Sequence, residues 1–243
     1  MVERYSNSLA LARAAAEQFI RIADESIKLR GRFAVALSGG ATPKTMYEQL
    51  ASAEMVGRVK WNRVYVFWGD ERCVPPGDVV SNYRLAYESL LLHAPIPPQN
   101  VHRIHGELPP ERAAHEYERR LADFFSLVHK DPPRFDLLLL GMGANGHIAS
   151  MFPNATALHE KGRTVVEQYV EELQTWRITI TPPVINRAAN VTFLVSGQEK
   201  ADLMRAVLNG PYQPDRFPAQ IVNLVAGRLV WMVDDAAAAL LMK

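Results

Sequence analysis

Apolar residues recur at helical spacing over Ser8–Arg30, where Leu9, Ala12, Ala16, Phe19, Ile20, Ala23 and Ile27 share one face and Gly31 supplies the stop. The period then changes. Phe33–Leu37 is a short unbroken apolar run ending in Ser38-Gly39-Gly40, the pattern of a buried strand feeding a loop, and a helix follows with Thr42 as its expected cap and Pro43 in its first turn. The alternation continues with a strand over Val64–Trp68, a helix capped by Ser81 and reaching Leu92, a short strand at 101–104, a helix over 110–128 and a strand over 135–140 closed by Gly141. Beyond it the pattern predicts strands over 163–170 and 176–181, a proline-entered helix at 182–188, a strand over 191–195, a helix over 198–208 and a strand over 229–233. Asp234-Asp235 are expected to cap an Ala-rich terminal helix. Strands that alternate with helices and read as continuous apolar runs imply an α/β fold: a mainly parallel, Rossmann-like doubly wound sheet with helices on both faces. The Pro-rich segments at 75–76, 95–98 and 132–133 are short enough to be surface turns, so residues 1–243 are expected to form one domain.

Composition narrows the partners. Lys and Arg total 27 against 26 Asp and Glu, a formal charge of +1, so no global excess of positive charge points to nucleic acid or a membrane surface, and any anion site must be local. The single cysteine, Cys73, closes no intramolecular disulfide and builds no cysteine zinc site. The histidines other than His147 lack paired ligand spacing, which disfavours a metal. With no signal-like apolar block at the N-terminus and no run of membrane-spanning length, a cytoplasmic protein is expected, with no obligate protein partner evident.

In open parallel sheets ligands sit beyond the carboxyl ends of the strands, so the loops that follow strands are where chemistry is sought. Four stand out. Ser38, Gly39, Gly40 and Thr42 have the composition of a phosphate cradle, where glycines let backbone N–H groups approach an anion at a helix N-terminus; the glycine spacing and Pro43 rule out a Walker A loop. Asp70, Glu71 and Arg72 follow the strand ending at Trp68; Arg72 offers a planar fork of donors to an anion, and the acids can hold a hydroxyl or orient the arginine. Gly141-Met142-Gly143-Ala144-Asn145-Gly146 formally matches the dinucleotide fingerprint, but Pro153 leaves the expected helix barely more than a turn. His147, expected at the start of that helix, is a candidate general base because imidazole titrates near neutrality. Lys200, expected in the first turn of the helix after Ser196-Gly197, opposes the helix dipole unless an anion is shared with it. Each loop also has a structural reading, as a tight turn, a solvated charged turn, a hydrogen-bonded histidine and an exposed lysine respectively.

Taken together, Leu37-Ser-Gly-Gly-Ala-Thr-Pro43, Trp68-Gly-Asp-Glu-Arg-Cys-Val-Pro75, Ser81-Asn-Tyr-Arg-Leu-Ala86, Gly141-Met-Gly-Ala-Asn-Gly-His-Ile-Ala-Ser-Met-Phe-Pro153 and Val195-Ser-Gly-Gln-Glu-Lys200 resemble the glucosamine-6-phosphate isomerase/6-phosphogluconolactonase superfamily, and within it the lactonase branch, over nearly the whole chain. The resemblance implies hydrolysis of 6-phosphogluconolactone to 6-phosphogluconate in the oxidative pentose phosphate pathway, with no metal or organic cofactor and a sugar-phosphate lactone as the small-molecule partner. It implies that His147 activates water, that Arg72 is an electrostatic partner of the substrate, and that residues 38–42 with Lys200 grip the phosphate. One position departs from the family pattern: Asn145 stands where the family usually has Asp, so a neutral amide replaces a carboxylate that would raise the basicity of His147. The sister isomerase remains an alternative, although its pattern has Asp at Asn145, Asp-Glu-Tyr at 70–72 and Asn-Glu-Pro at 151–153. A non-catalytic sugar-phosphate sensor and a dinucleotide oxidoreductase are the readings from other classes.

Overall fold

The computed structural model describes residues 1–127 and 131–241. In chain order the elements are β1 (Val2–Tyr5), α1 (Ser8–Arg30), β2 (Phe33–Leu37), α2 (Ala41–Ala51), β3 (Val64–Trp68), β4 (Asp70–Arg72), α3 (Asn82–Ala86), α4 (Pro110–Phe125), β5 (Leu137–Leu140), β6 (Val165–Val170), β7 (Thr175–Ile180), α5 (Pro182–Arg187), β8 (Asn190–Val195), α6 (Ala201–Asn209) and β9 (Arg228–Asp234). Six strands form an all-parallel sheet in the order β1-β9-β8-β5-β2-β3. Its central strands β2 and β5 are buried at every residue, which is why they read as unbroken apolar runs. The order places β1→β2→β3 in one direction across the sheet and β5→β8→β9 in the other. Right-handed crossovers therefore put α1 and α2 on one face and the later helices on the opposite one.

Several expectations change. β6 and β7 do not join the parallel sheet: with β4 they make a separate antiparallel sheet, ordered β4-β7-β6. Residues 171–174 are too few for a parallel crossover, which needs a dozen or more, so the two runs had to pair as a hairpin. β4 itself was expected as loop, because its charged triplet hides a strand. β1, short and half exposed, was not anticipated and pairs parallel with β9 at the sheet edge. Residues 101–104 contribute a single bridge, Val101 to Val66. The Ala-rich segment after β9 forms turns rather than the expected helix as far as Leu241, being too short to offset helix nucleation; residues 242–243 lie outside the described residues. α4 stops at Phe125, short of the expected extension, because Ser126 turns left-handed at φ 51° as its C-cap; Val128 itself lies outside the described residues. Ser81 does cap α3, accepting the Arg84 amide at 3.2 Å, and the coil continues as a π-helix over Tyr87–Leu91.

Two fully buried tyrosines, unremarked in the sequence, fix the strand ends that matter for the site. Tyr47 Oη accepts the Ser38 amide at 3.0 Å and donates to the Ser38 carbonyl at 2.7 Å. Tyr117 makes the same pair of bonds with Trp68, both at 2.9 Å. Among the described residues no helix is long and apolar enough to cross a membrane.

Candidate active site

β2 and β5 are neighbours whose chain continuations leave in opposite directions, so a crevice opens between the loops that follow them. A cavity of about 450 Å³ lies there, lined by Ser38, Gly39, Gly40, Thr42, Asp70, Arg72, His147 and Lys200 among others. Four loops far apart in the chain thus meet at one strand-end pocket. Hydrogen bonds join them: Ser38 Oγ accepts the Gly141 amide at 3.3 Å, and Thr42 Oγ1 lies 2.9 Å from Ser196 Oγ.

One end of the pocket is an anion cradle. Gly40 precedes α2 with φ 107°, a conformation open to glycine, and no side chain caps the helix. Thr42 is therefore not the cap: it sits within the first turn and bonds Ser196 instead. Among the described residues the amides of Gly39, Gly40, Ala41 and Thr42 have no hydrogen-bond acceptor, leaving donors and the positive end of the helix dipole facing the pocket. Lys200 ends a 3₁₀ turn, Gln198–Lys200, and stands at the N-cap of α6, one residue before the first turn in which it was expected. The preceding turn is held by Asp234, whose carboxylate accepts the Gly197 amide at 3.1 Å and the Ala237 amide at 2.8 Å.

His147 does not begin a helix. Residues after Gly146 form turns and an isolated bridge between Ile148 and Met151, so no helix dipole is available for a dinucleotide pyrophosphate, and that reading loses its structural context. The imidazole is held by three contacts. Phe152 stacks on it with centroids 4.2 Å apart, and Gly143 approaches so closely that a Cβ there would overlap the ring. Nδ1 lies 2.7 Å from Asn145 Oδ1. The same oxygen accepts the His147 backbone amide at 3.3 Å, which fixes that atom as an acceptor and makes Nδ1 the donor. Nε2 is left with its lone pair. Burial pulls the pKa of His147 down to about 4; Arg177, Lys200 and Arg72 add to the shift and Asp70 opposes it, so the ring is neutral at pH 7.

The pleat of β4 sorts the charged triplet. Asp70 and Arg72 face the pocket, whereas Glu71 points away and accepts from the amides of Arg72, Asn82 and Tyr83 and from Ser81 Oγ at 2.7–3.0 Å. Glu71 neither orients the Arg72 guanidinium nor reaches a hydroxyl in the pocket; it ties β4 to the start of α3. Asp70 accepts from Asn82 Nδ2 at 3.0 Å and Ser150 Oγ at 2.7 Å. Arg72 donates Nη1 to the Val80 carbonyl.

Asn145 does not line the pocket and acts on it through His147. Asn82 and Ser196 line it without being singled out in the sequence; Arg177, which the sequence offers with Asn186 as a further lining residue, does line it, from the strand that faces β4. Asn186 lies elsewhere, bonded to the Ile221 carbonyl and the Asn223 amide. Burial raises the Cys73 thiol to about 11, so it is no thiolate nucleophile. Among the described residues no cluster of three or more His, Cys, Asp or Glu side chains is arranged for a metal ion.

Sheet order, amide cradle and a base-competent imidazole together define an α/β protein with a strand-end pocket suited to an anionic small molecule. The chain belongs to the glucosamine-6-phosphate isomerase/6-phosphogluconolactonase family, whose sequence profile matches residues 6–231. Its relatives include a 6-phosphogluconolactonase of Synechocystis, 38% identical over 214 residues (88% of this chain, 86% of that protein). Another, from Haemophilus influenzae, is 35% identical over 207 residues (85% and 87%). Among solved structures, the 6-phosphogluconolactonase of Trypanosoma brucei superposes with a TM-score of 0.88 at 28% identity, covering 100% of this chain and 98% of its own.

Proposed function

We propose that this protein hydrolyses 6-phospho-D-glucono-1,5-lactone to 6-phospho-D-gluconate, within the oxidative pentose phosphate pathway, using His147 as general base. The observation that carries the reading is the imidazole tautomer: Nδ1 is committed to Asn145, and Nε2 is free beside a cradle of unpaired amides. Residues 38–42 and Lys200 bind the phosphate, and that remote binding energy fixes the lactone carbonyl in reach of the imidazole. Nε2 takes a proton from water as its oxygen attacks C1. Arg72 faces the negative charge that develops on the carbonyl oxygen. As the intermediate collapses, the C1–ring oxygen bond breaks and Nε2 returns its proton to that oxygen, leaving a hydroxyl and a carboxylic acid that ionises to solvent. One histidine serves both transfers, and a lactone needs no covalent intermediate.

The sister isomerase moves protons at carbon, and its pattern differs from this chain at Arg72, Asn145 and residues 151–152. The test is lactone consumption by native protein and His147→Ala, corrected for spontaneous opening. A loss of about 10²–10⁴-fold in kcat is expected. Equal rates refute the base; release of ammonia from glucosamine 6-phosphate refutes the substrate; binding of 6-phosphogluconate without turnover of the lactone makes the protein a sensor.

A further inference from the structure

The antiparallel register of β4 and β7 sets Arg72 directly opposite Arg177, and residues opposite one another in a ladder share a face. Both line the cavity. Like charges so opposed weaken a sheet, and neither guanidinium is ion-paired among the described residues. The Nε of each is buried without a hydrogen-bond partner, an unsatisfied state that is uncommon for buried polar groups. Asp70, the carboxylate on the same face, is already engaged by Asn82 and Ser150. The pair is therefore short of an anion.

Position within the pocket says which anion. The cradle and Lys200 come from the loops after β2 and β8, whereas the arginines come from the second sheet. Phe152 links the arginines to the chemistry: it stacks on His147 at 4.2 Å, and the Arg177 guanidinium lies 6.0 Å from its centroid. Two cationic ends on separate elements match a ligand carrying charge at both ends. We propose that Arg177 is a further catalytic residue, completing with Arg72 a paired-guanidinium site for the oxyanion that forms at C1 and persists as the product carboxylate. This rests on the lactonase reading above. Burial and the neighbouring charge of Arg72 both press the Arg177 pKa downward, a strain that a bound oxyanion relieves.

The test uses the full chain with Arg177→Gln and Arg177→Lys. In Arg177→Gln, kcat should fall by about 10²-fold with KM changed little, the loss typical of removing one oxyanion donor. Arg177→Lys should recover part of it, since charge is kept and the fork lost. The acid limb of kcat/KM should rise in Arg177→Gln, because a cation beside His147 has gone, which a merely structural role would not produce. Binding separates the two ends: affinity for 6-phosphogluconate should drop in Arg177→Gln while affinity for glucitol 6-phosphate, which lacks charge at C1, stays the same. Unchanged kcat with an unchanged limb, or equal loss for both ligands, overturns the proposal. If Arg177→Gln does not fold, the two-ligand comparison with Arg177→Lys decides, with a selective loss for 6-phosphogluconate expected. If the native protein does not turn over the lactone, the lactonase reading fails, and the two-ligand comparison still tests the carboxylate site by itself.

Discussion

Asn145→Asp places a carboxylate against the Nδ1–H of His147, where an amide oxygen now lies 2.7 Å away. At a charge separation of about 4 Å a unit charge contributes roughly 1 kcal/mol in the dielectric of water and roughly 4 kcal/mol at an effective value near 20. One pKa unit is about 1.36 kcal/mol, so the imidazolium gains between about one and three units. The starting point is a ring whose pKa burial has lowered to about 4. The acid limb of kcat/KM, which reports the free enzyme's base, should therefore move from about pH 4 to between about pH 5 and 7. The direction follows from the charge: a carboxylate favours the protonated ring, so the neutral base is lost at a higher pH than in the native protein. The assay is consumption of freshly generated lactone, quenched and corrected for spontaneous opening at each pH, with tryptophan fluorescence over the same range to separate loss of fold from loss of base. An acid limb that stays put while the protein remains folded would refute both the coupling through Nδ1 and the assignment of Nε2 as base.

Lys200→Met should act on binding rather than on chemistry. A hydrogen bond to a charged group is worth about 1.5–3 kcal/mol, so KM should rise between about tenfold and 150-fold with kcat within a few-fold, and a matching fall in kcat would move Lys200 to the reacting end. His102 predicts an acid-sensitive fold: stacked on Phe67 at 4.5 Å, it is held by burial at a pKa of about 4, below the ordinary value near 6.5. The unfolded chain thus binds the extra proton first, and stability should fall as pH drops from about 6.5 to 4. His102→Phe should remove about 1 kcal/mol of that loss, the figure being reduced for partial exposure; denaturant midpoints at pH 7 and pH 4.5 that shift equally in both proteins would contradict it.

The parallel sheet was legible because buried strands announce themselves as apolar runs, and the ends of those runs led to Ser38, Arg72, His147 and Lys200. What escaped has a physical reason in each case. β4 carries Asp70, Glu71 and Arg72, and no propensity scale marks such a triplet as strand; it exists because β7 supplies its ladder and α3 its carboxylate partners. The short helix expected at His147 gave way to turns, with Ala149 and Asn154 at φ 48° and 60°, conformations that the side-chain pattern does not encode. Asp234 does cap the segment after β9 through the Ala237 amide, but it also holds the Gly197 turn, a tertiary contact invisible to local capping rules, and the capped segment goes no further than turns as far as Leu241. The role of Arg177 depends wholly on register, which a single sequence states only through hairpin length.

Register is also what makes so small a strand sufficient. With a side-chain period of two, the three residues of β4 deliver Asp70 and Arg72 to the pocket and Glu71 to the opposite side, where it meets three amides and a hydroxyl. A slip of one residue would bury Arg72 where Glu71 has its donors and turn Glu71 toward the cavity, reversing the local charge. The bonds of Glu71 are thus as necessary to the anion site as the arginines, although Glu71 does not line it: they hold β4 in the one register that sets two guanidiniums side by side against their own repulsion. Stability concentrated on one side of the pleat is what permits an electrostatically unfavourable arrangement on the other, and an anion entering the pocket is the partner that arrangement lacks.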